Sequence, residues 1–146
     1  MATKPNAKLT ALIKGLNEDL AGEWQAIIMY RLYASMVQGP YRQELRNFFA
    51  SEIPEELLHA EMLADKIAAL GGTPAWQPAP VKVVSDPKQM LQEALKAERE
   101  TLQRYVVRRK QAEEAEQYGL AVDFDELISD ESNHRDELEQ MLARWP

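Results

Sequence analysis

The chain contains two histidines, and each has a glutamate three residues before it: Glu56 with His59 in "EELLHAEML", and Glu131 with His134 in "DESNH". On a helix, side chains at i and i+3 share a face, so each pair presents one carboxylate oxygen and one imidazole nitrogen to a common point. Those are donors for a divalent metal ion. Chance is a poor rival. With 17 Glu among 146 residues, the odds that both histidines carry one at this offset are about one in seventy, before both pairs are also required to sit on apolar stripes. Two further glutamates stand alone on such stripes, Glu23 between Leu20 and Ile27 and Glu98 between Leu95 and Leu102. Either by itself reads as a helix-edge residue reaching for solvent. Together with the two Glu-x-x-His pairs they make the ligand set of a carboxylate-bridged di-metal site in a helical bundle.

Six such groups on core stripes are costly without a cation, because a buried carboxylate that lacks a partner is strongly destabilising. Four carboxylates and two imidazoles balance two divalent ions at zero net charge. The chain has no cysteine, which removes thiolate zinc sites, iron–sulfur clusters and disulfides from consideration. Oxygen donors with imidazole favour iron and leave manganese open. Tyr30 lies seven residues after Glu23, two turns along the same face, where a core aromatic with a bonded hydroxyl is the commoner role. Glu52 lies one turn before Glu56 and reads as a partner that supports the ligands. Trp24, Trp76 and Trp145 read as packing or subunit-contact residues.

Four helices must hold these groups together. Apolar positions from Leu9 to Val37 recur at helical spacing and predict a helix over 6–38. Gly39-Pro40 breaks it, and Pro40 suits the first position of the next helix, about 40–70. Pro54 falls inside that second helix and removes one backbone hydrogen bond, so a kink or bulge is expected there. Asp86, Pro87 and Gln89 mark the start of a third helix, which runs to about 117, where Tyr118-Gly119 stops it. A fourth covers about 121–144, and no sustained alternation argues for strands.

The connections set the topology. Two of them are short and make antiparallel neighbours. The third, "GGTPAWQPAPVKVVS" over Gly71 to Ser85, is rich in proline and extended. At about 3.3 Å per residue it reaches about 50 Å, the length of a helix of about 30 residues, so helices two and three can run parallel. An all-α four-helix bundle with one long crossover is the ferritin-like arrangement; the rival is a plain up-down bundle with a loose loop. If the first pair turns near residue 40, Glu23 comes level with residue 57, between Glu56 and His59. The ligands of the second pair centre near 115–116, a turn short of the Gly119 break, which is a looser fit.

A length of 146 residues predicts one domain covering 1–146, and 45% hydrophobic with 28% charged residues is ordinary for a soluble globular protein. No apolar run approaches the roughly 18 residues of a membrane span, and MATKPNAK lacks a signal-peptide hydrophobic region; a cytoplasmic protein without a membrane partner is expected. The net charge of −7 argues against a nucleic-acid surface and suits a protein that handles cations.

These helices resemble bacterioferritin. "LNEDLAGEWQAIIMY", "EELLHAE", "LKAERETL" and "DESNHRDELE" are similar, in order and spacing, to that family's four metal-binding helices, from about Leu16 to Leu142. The resemblance implies a ferroxidase centre of Glu23, Glu56, His59, Glu98, Glu131 and His134, with Glu56 and Glu131 bridging two irons. It implies a hollow homo-oligomeric cage that oxidises Fe(II) with O2 or H2O2 and stores it as a ferric mineral. It further implies that Tyr30, close to the di-iron site, donates an electron when the oxidant is reduced.

Two departures alter the expectation. The family's haem-ligating Met directly follows the second-helix Glu; Leu57 stands there and offers iron no donor, so no haem is expected. The chain ends at "LARWP", without the short fifth helix of twenty-four-subunit cages, which makes a Dps-like twelve-subunit shell with the site inside each subunit an equal expectation. A Dps-type site between subunits is not supported, since both histidines are used within one bundle. Two other functions compete. A rubrerythrin-like di-iron peroxidase or oxidase without storage would need a separate electron donor, because a cysteine-rich electron-transfer module is absent. A DNA-protecting Dps-like protein has only the tail with Lys4 and Lys8 in its favour.

Overall fold

The computed structural model describes residues 6–146, and among them it contains four α-helices and no strand. They are α1 (Ala7–Met36), α2 (Arg42–Ala69), α3 (Pro87–Glu114) and α4 (Tyr118–Leu142). Local chemistry fixes their ends. The Asn6 side chain accepts from the backbone N–H groups of Lys8 and Leu9 at the start of α1, and Asp86 accepts from the Gln89 N–H at the start of α3. Both caps satisfy donors that the first turn leaves free. Gly71, at φ 91°, closes α2, with the Gly72 N–H donating to the Ile67 carbonyl over 2.9 Å. Among the described residues, no helix is long and apolar enough to cross a membrane. Lys4, in the tail considered above, lies outside the described residues.

Three local expectations are corrected. Pro40 sits in the turn before α2, which is helical only from Arg42. α2 stays α-helical through Pro54, so of the kink or bulge expected there the bulge does not form. The break between the last two helices is at Ala115–Gln117, and Tyr118 and Gly119 are the first residues of α4. Glu116 makes this turn at φ 59°, with the Gln117 N–H donating to the Ala112 carbonyl over 2.8 Å. This is the left-handed helix stop that glycine usually provides, built here on a glutamate. It moves the turn to the midpoint of the candidate ligands near 115–116, so both hairpins turn level with the residues that face each other across them.

Two apolar clusters show how the helices run. One gathers Tyr30, Tyr33, Phe49, Met90, Leu91 and Leu138; the other gathers Leu16, Leu20, Leu63, Ile67, Tyr105 and Phe124, among others. The end of α1 therefore meets the starts of α2 and α3, and the ends of α2 and α3 lie together. α2 and α3 are parallel, as a long crossover requires. That crossover is no loose loop. It lies along α1, where the Trp24 indole N–H donates to the Ala75 carbonyl, the Ala75 N–H to Asn17 Oδ1, the Ala79 N–H to the Ala21 carbonyl and the Tyr33 hydroxyl to the Lys82 carbonyl. Trp145 packs edge-on against Tyr41, while Trp76 is exposed.

One buried ion pair ties α1 to α3. Asp19 is fully buried and accepts from Arg108 Nε over 2.8 Å, with Arg104 Nε at 3.5 Å. The two arginines lie flat over α1 where it carries Gly15 and Gly22: a Cβ on Gly15 would collide with the Arg108 guanidinium, and one on Gly22 with that of Arg104.

Candidate metal centre

Between the two apolar clusters lies a polar layer that contains all six expected ligands, none more than 9% exposed. Helical register puts them there. Glu56 with His59, and Glu131 with His134, occupy adjacent turns of the buried faces of α2 and α4, while Glu23 and Glu98 interrupt the apolar stripes of α1 and α3. The donor atoms fall into two groups, Glu23, Glu56, His59 and Glu131 in one and Glu52, Glu56, Glu98 and His134 in the other; within each, all lie within 4.8 Å of one another. Glu56 belongs to both, with one oxygen 3.7 Å from His59 Nδ1 and the other 3.4 Å from His134 Nδ1. Glu131 spans the same gap, with oxygens 3.0 Å and 3.6 Å from those two nitrogens.

The groups behind the donors repeat as well. His59 Nε2 lies 3.3 Å from Asp130, and His134 Nε2 contacts Glu55. A carboxylate on Nε2 favours the tautomer protonated there and leaves Nδ1 as the inward donor. Tyr30 of α1 donates its hydroxyl to Glu98 of α3 over 2.7 Å, and Tyr105 of α3 donates to Glu23 of α1. Tyr105, Glu55 and Asp130 were missed from the sequence, although each has a signal there. Tyr105 follows Glu98 by seven residues, as Tyr30 follows Glu23, and an acid precedes the Glu of both Glu-x-x-His pairs.

Seven inward atoms have no hydrogen-bond partner among the described residues: Glu23 Oε2, Glu52 Oε2, Glu56 Oε1, both carboxylate oxygens of Glu131, and Nδ1 of His59 and His134. Buried polar atoms are rarely left so. Two cations would satisfy them together, and carboxylates with imidazole fit iron or manganese.

Burial and the neighbouring charges shift the titration of these groups. At His59 burial opposes the charged form, but the carboxylates of Glu131 and Glu56 outweigh it and push the imidazole up to about 10. The same balance takes His134 up to about 11. Burial, reinforced by Glu56, raises the Glu23 carboxyl well above its ordinary value. At Glu56 burial is outweighed by the neighbouring Glu23, His134 and His59, which favour its charged form and hold it well below the carboxylate range. Burial lifts Glu52 to about 7 against the pull of His134, and it raises the Tyr30 hydroxyl well above the usual phenol value.

A family model described as a ferritin-like domain matches residues 13–146. Bacterioferritin of Streptomyces coelicolor is 31% identical over 137 residues, covering 90% of this chain and 79% of that protein. Among solved structures, a ferritin-like diiron-carboxylate protein from Bacillus anthracis is 47% identical, covers 94% of this chain and 99% of that one, and superposes with a TM-score of 0.93. Bacterioferritin of Rhodobacter capsulatus, described with a metal-free dinuclear site and a haem iron, is 28% identical over 97% of this chain and 87% of that one, with a TM-score of 0.79. Four helices, one long crossover and a buried layer of carboxylates and imidazoles thus agree with the sequence match, and the chain belongs to the ferritin-like family, with bacterioferritins among its relatives.

Proposed function

We propose that the chain is an iron-storing ferroxidase. Each subunit binds two Fe(II) as substrate through Glu23, Glu56, His59, Glu98, Glu131 and His134, with Glu56 and Glu131 between the ions. The observation that carries this reading is the convergence of seven unpartnered buried donor atoms on two groups that share Glu56. One electron from each Fe(II), with two protons, reduces O2 to H2O2 or H2O2 to two waters.

The chain's own residues hold and prepare this site. Asp130 and Glu55 orient the two imidazoles, and Tyr105 and Tyr30 each occupy one oxygen of a terminal carboxylate. His59 and His134 must each give up a proton to bind Fe(II), and the surrounding carboxylates favour the protonated form of both, which places two protons near the oxidant. Tyr30 stands in for one Fe(II) as electron donor: its ring supplies one of the two electrons to the oxidant while its hydroxyl proton passes to Glu98, 2.7 Å away.

Storage requires a closed homo-oligomeric shell of twelve or twenty-four copies in the cytoplasm. The exposed apolar residues Leu57, Leu58, Val106, Val107 and Val122 support association through the outer helix faces. Leu57 offers no donor, so the shell is haem-free and the purified protein lacks haem absorption bands.

Light scattering followed by aerobic Fe(II) titration of the same particles tests this reading. The expected result is a shell-sized particle with a fast phase that saturates at two Fe(II) per chain. Tyr30→Phe slows later turnovers more than initial binding. A small particle that still oxidises iron would favour the non-storage oxidase. One ion per chain, kept after loss of Glu98 and Glu131, would sink the di-metal reading.

A further inference from the structure

We propose that Glu52 is a direct ligand of the metal ion on the His134 side, which makes the two metal positions unequal. The inference rests on the di-metal reading above. Under the match of one hairpin to the other, Glu23 and Tyr30 in α1 answer to Glu98 and Tyr105 in α3, and Glu55-Glu56-x-x-His59 in α2 answers to Asp130-Glu131-x-x-His134 in α4. The residue four before Glu56 is Glu52, whereas the residue four before Glu131 is Leu127. Leu127 is buried in the apolar cluster beside Phe124. The equivalence fails at this one turn, and it fails toward charge.

Glu52 is placed as a donor. It is 8% exposed, its Oε2 has no hydrogen-bond partner, and that oxygen lies 3.2 Å from His134 Nδ1, the inward nitrogen. It stands in the same 4.8 Å group as Glu56, Glu98 and His134. His134 is its only ion-pair partner among the described residues. Once His134 is bound to a metal ion, Glu52 has no cationic side chain within ion-pair distance among the described residues, and the ion itself is the counter-charge its position fits.

The consequence is an asymmetry in charge. Glu56 and Glu131 serve both positions, Glu23 and His59 complete one, and Glu98, His134 and Glu52 complete the other. The His134 side carries one more negative charge and one more oxygen donor. It fills first with a divalent ion, and the His59 side fills second.

Titration of the metal-stripped full-length chain with Co(II), followed by calorimetry and visible absorption, reads this directly. Wild type is expected to bind two Co(II) per chain in two resolved steps. Glu52→Gln keeps shape and volume, and should weaken the tighter step about 10- to 100-fold while leaving the other in place. A crystal of the Co(II)-loaded protein should place a Glu52 oxygen about 2.0–2.2 Å from the ion beside His134. Two ions bound by Glu52→Gln with unchanged constants, or a Glu52 oxygen that touches only His134 in the loaded crystal, overturns the proposal and leaves the di-metal reading standing. A single ion per wild-type chain overturns both.

Discussion

Two regions of this bundle bury carboxylates, and they treat them in opposite ways. Asp19, fully buried at the α1–α3 seam, faces Arg108 and Arg104. Burial still raises its pKa, and the two arginines oppose the rise. The layer around Glu56 buries five carboxylates, Glu23, Glu52, Glu56, Glu98 and Glu131, against only two imidazoles. No arginine or lysine among the described residues forms an ion pair with any of the five. The first arrangement carries its own counter-charge and serves architecture. The second leaves its counter-charge to be supplied from outside, and that deficit separates a binding site from a structural ion pair.

The sharpest way to break the comparison is to remove one carboxylate from each region. Glu56→Ala should slow Fe(II) oxidation at least about 100-fold, since it takes a donor from both metal positions, while the melting temperature of the metal-free protein falls only modestly, because Glu131 still faces both imidazoles. Asp19→Ala should do the reverse. It strands Arg108 in the core and should cost about 3–5 kcal/mol, with two-ion binding kept in the folded fraction. Stopped-flow oxidation and denaturant melts of both variants check the pair. Equal losses of stability would erase the distinction.

Metal removal is the next test. Loading to one hundred times the dissociation constant should raise stability by about 2.7 kcal/mol per independent site. The gain should persist in variants of exposed residues and shrink in Glu56→Ala, as read by thermal melts with and without chelator.

Acidity distinguishes the regions more gently. His59 and His134 have folded values of about 10 and 11, above the roughly 6.5 of an unfolded histidine. Their stabilisation of the metal-free protein is therefore fully present below about pH 6.5 and is lost as pH rises through about 10 and 11. The melting temperature of the stripped protein should fall across that alkaline range. Apparent metal affinity should rise with pH over the range below it, because each imidazole must shed a proton to bind. A flat affinity profile from pH 6 to 9 would contradict the raised pKa values of the two imidazoles. The smallest effect is expected outside the ligands: Asp130→Asn and Glu55→Gln should each weaken one metal position by about tenfold, measured by Co(II) titration.

The helices, the parallel α2 and α3, and the six-residue constellation were legible because each rests on periodicity, on connection length or on residue types that have no cheaper place in a core. The parts that escaped lack a local signature. The turn at Glu116 went unread because a left-handed stop announces itself through glycine, and Gly119 drew attention three residues too far on. Asp19 and Arg108 are 89 residues apart in the chain, and no spacing rule joins an acid on one helix to a base on another. Tyr105, Glu55 and Asp130 were readable only by comparing the two hairpins with each other, since each gains its meaning from its counterpart. Glu52 reads from the sequence as a supporting residue; that one of its oxygens joins the donor group of Glu56, Glu98 and His134 shows only in three dimensions.

Gly15 has a consequence for engineering. Glycine inside a helix is ordinarily a fault that alanine corrects, with a gain of about 1 kcal/mol. At Gly15 the sign should invert, because the missing methyl is the space through which Arg108 reaches Asp19. A propensity-guided redesign would choose this position early and lose stability there. Comparing the melting temperature of Gly15→Ala with that of a routine alanine substitution on the exposed face of α1 would show whether vacancy, rather than flexibility, is what this glycine contributes.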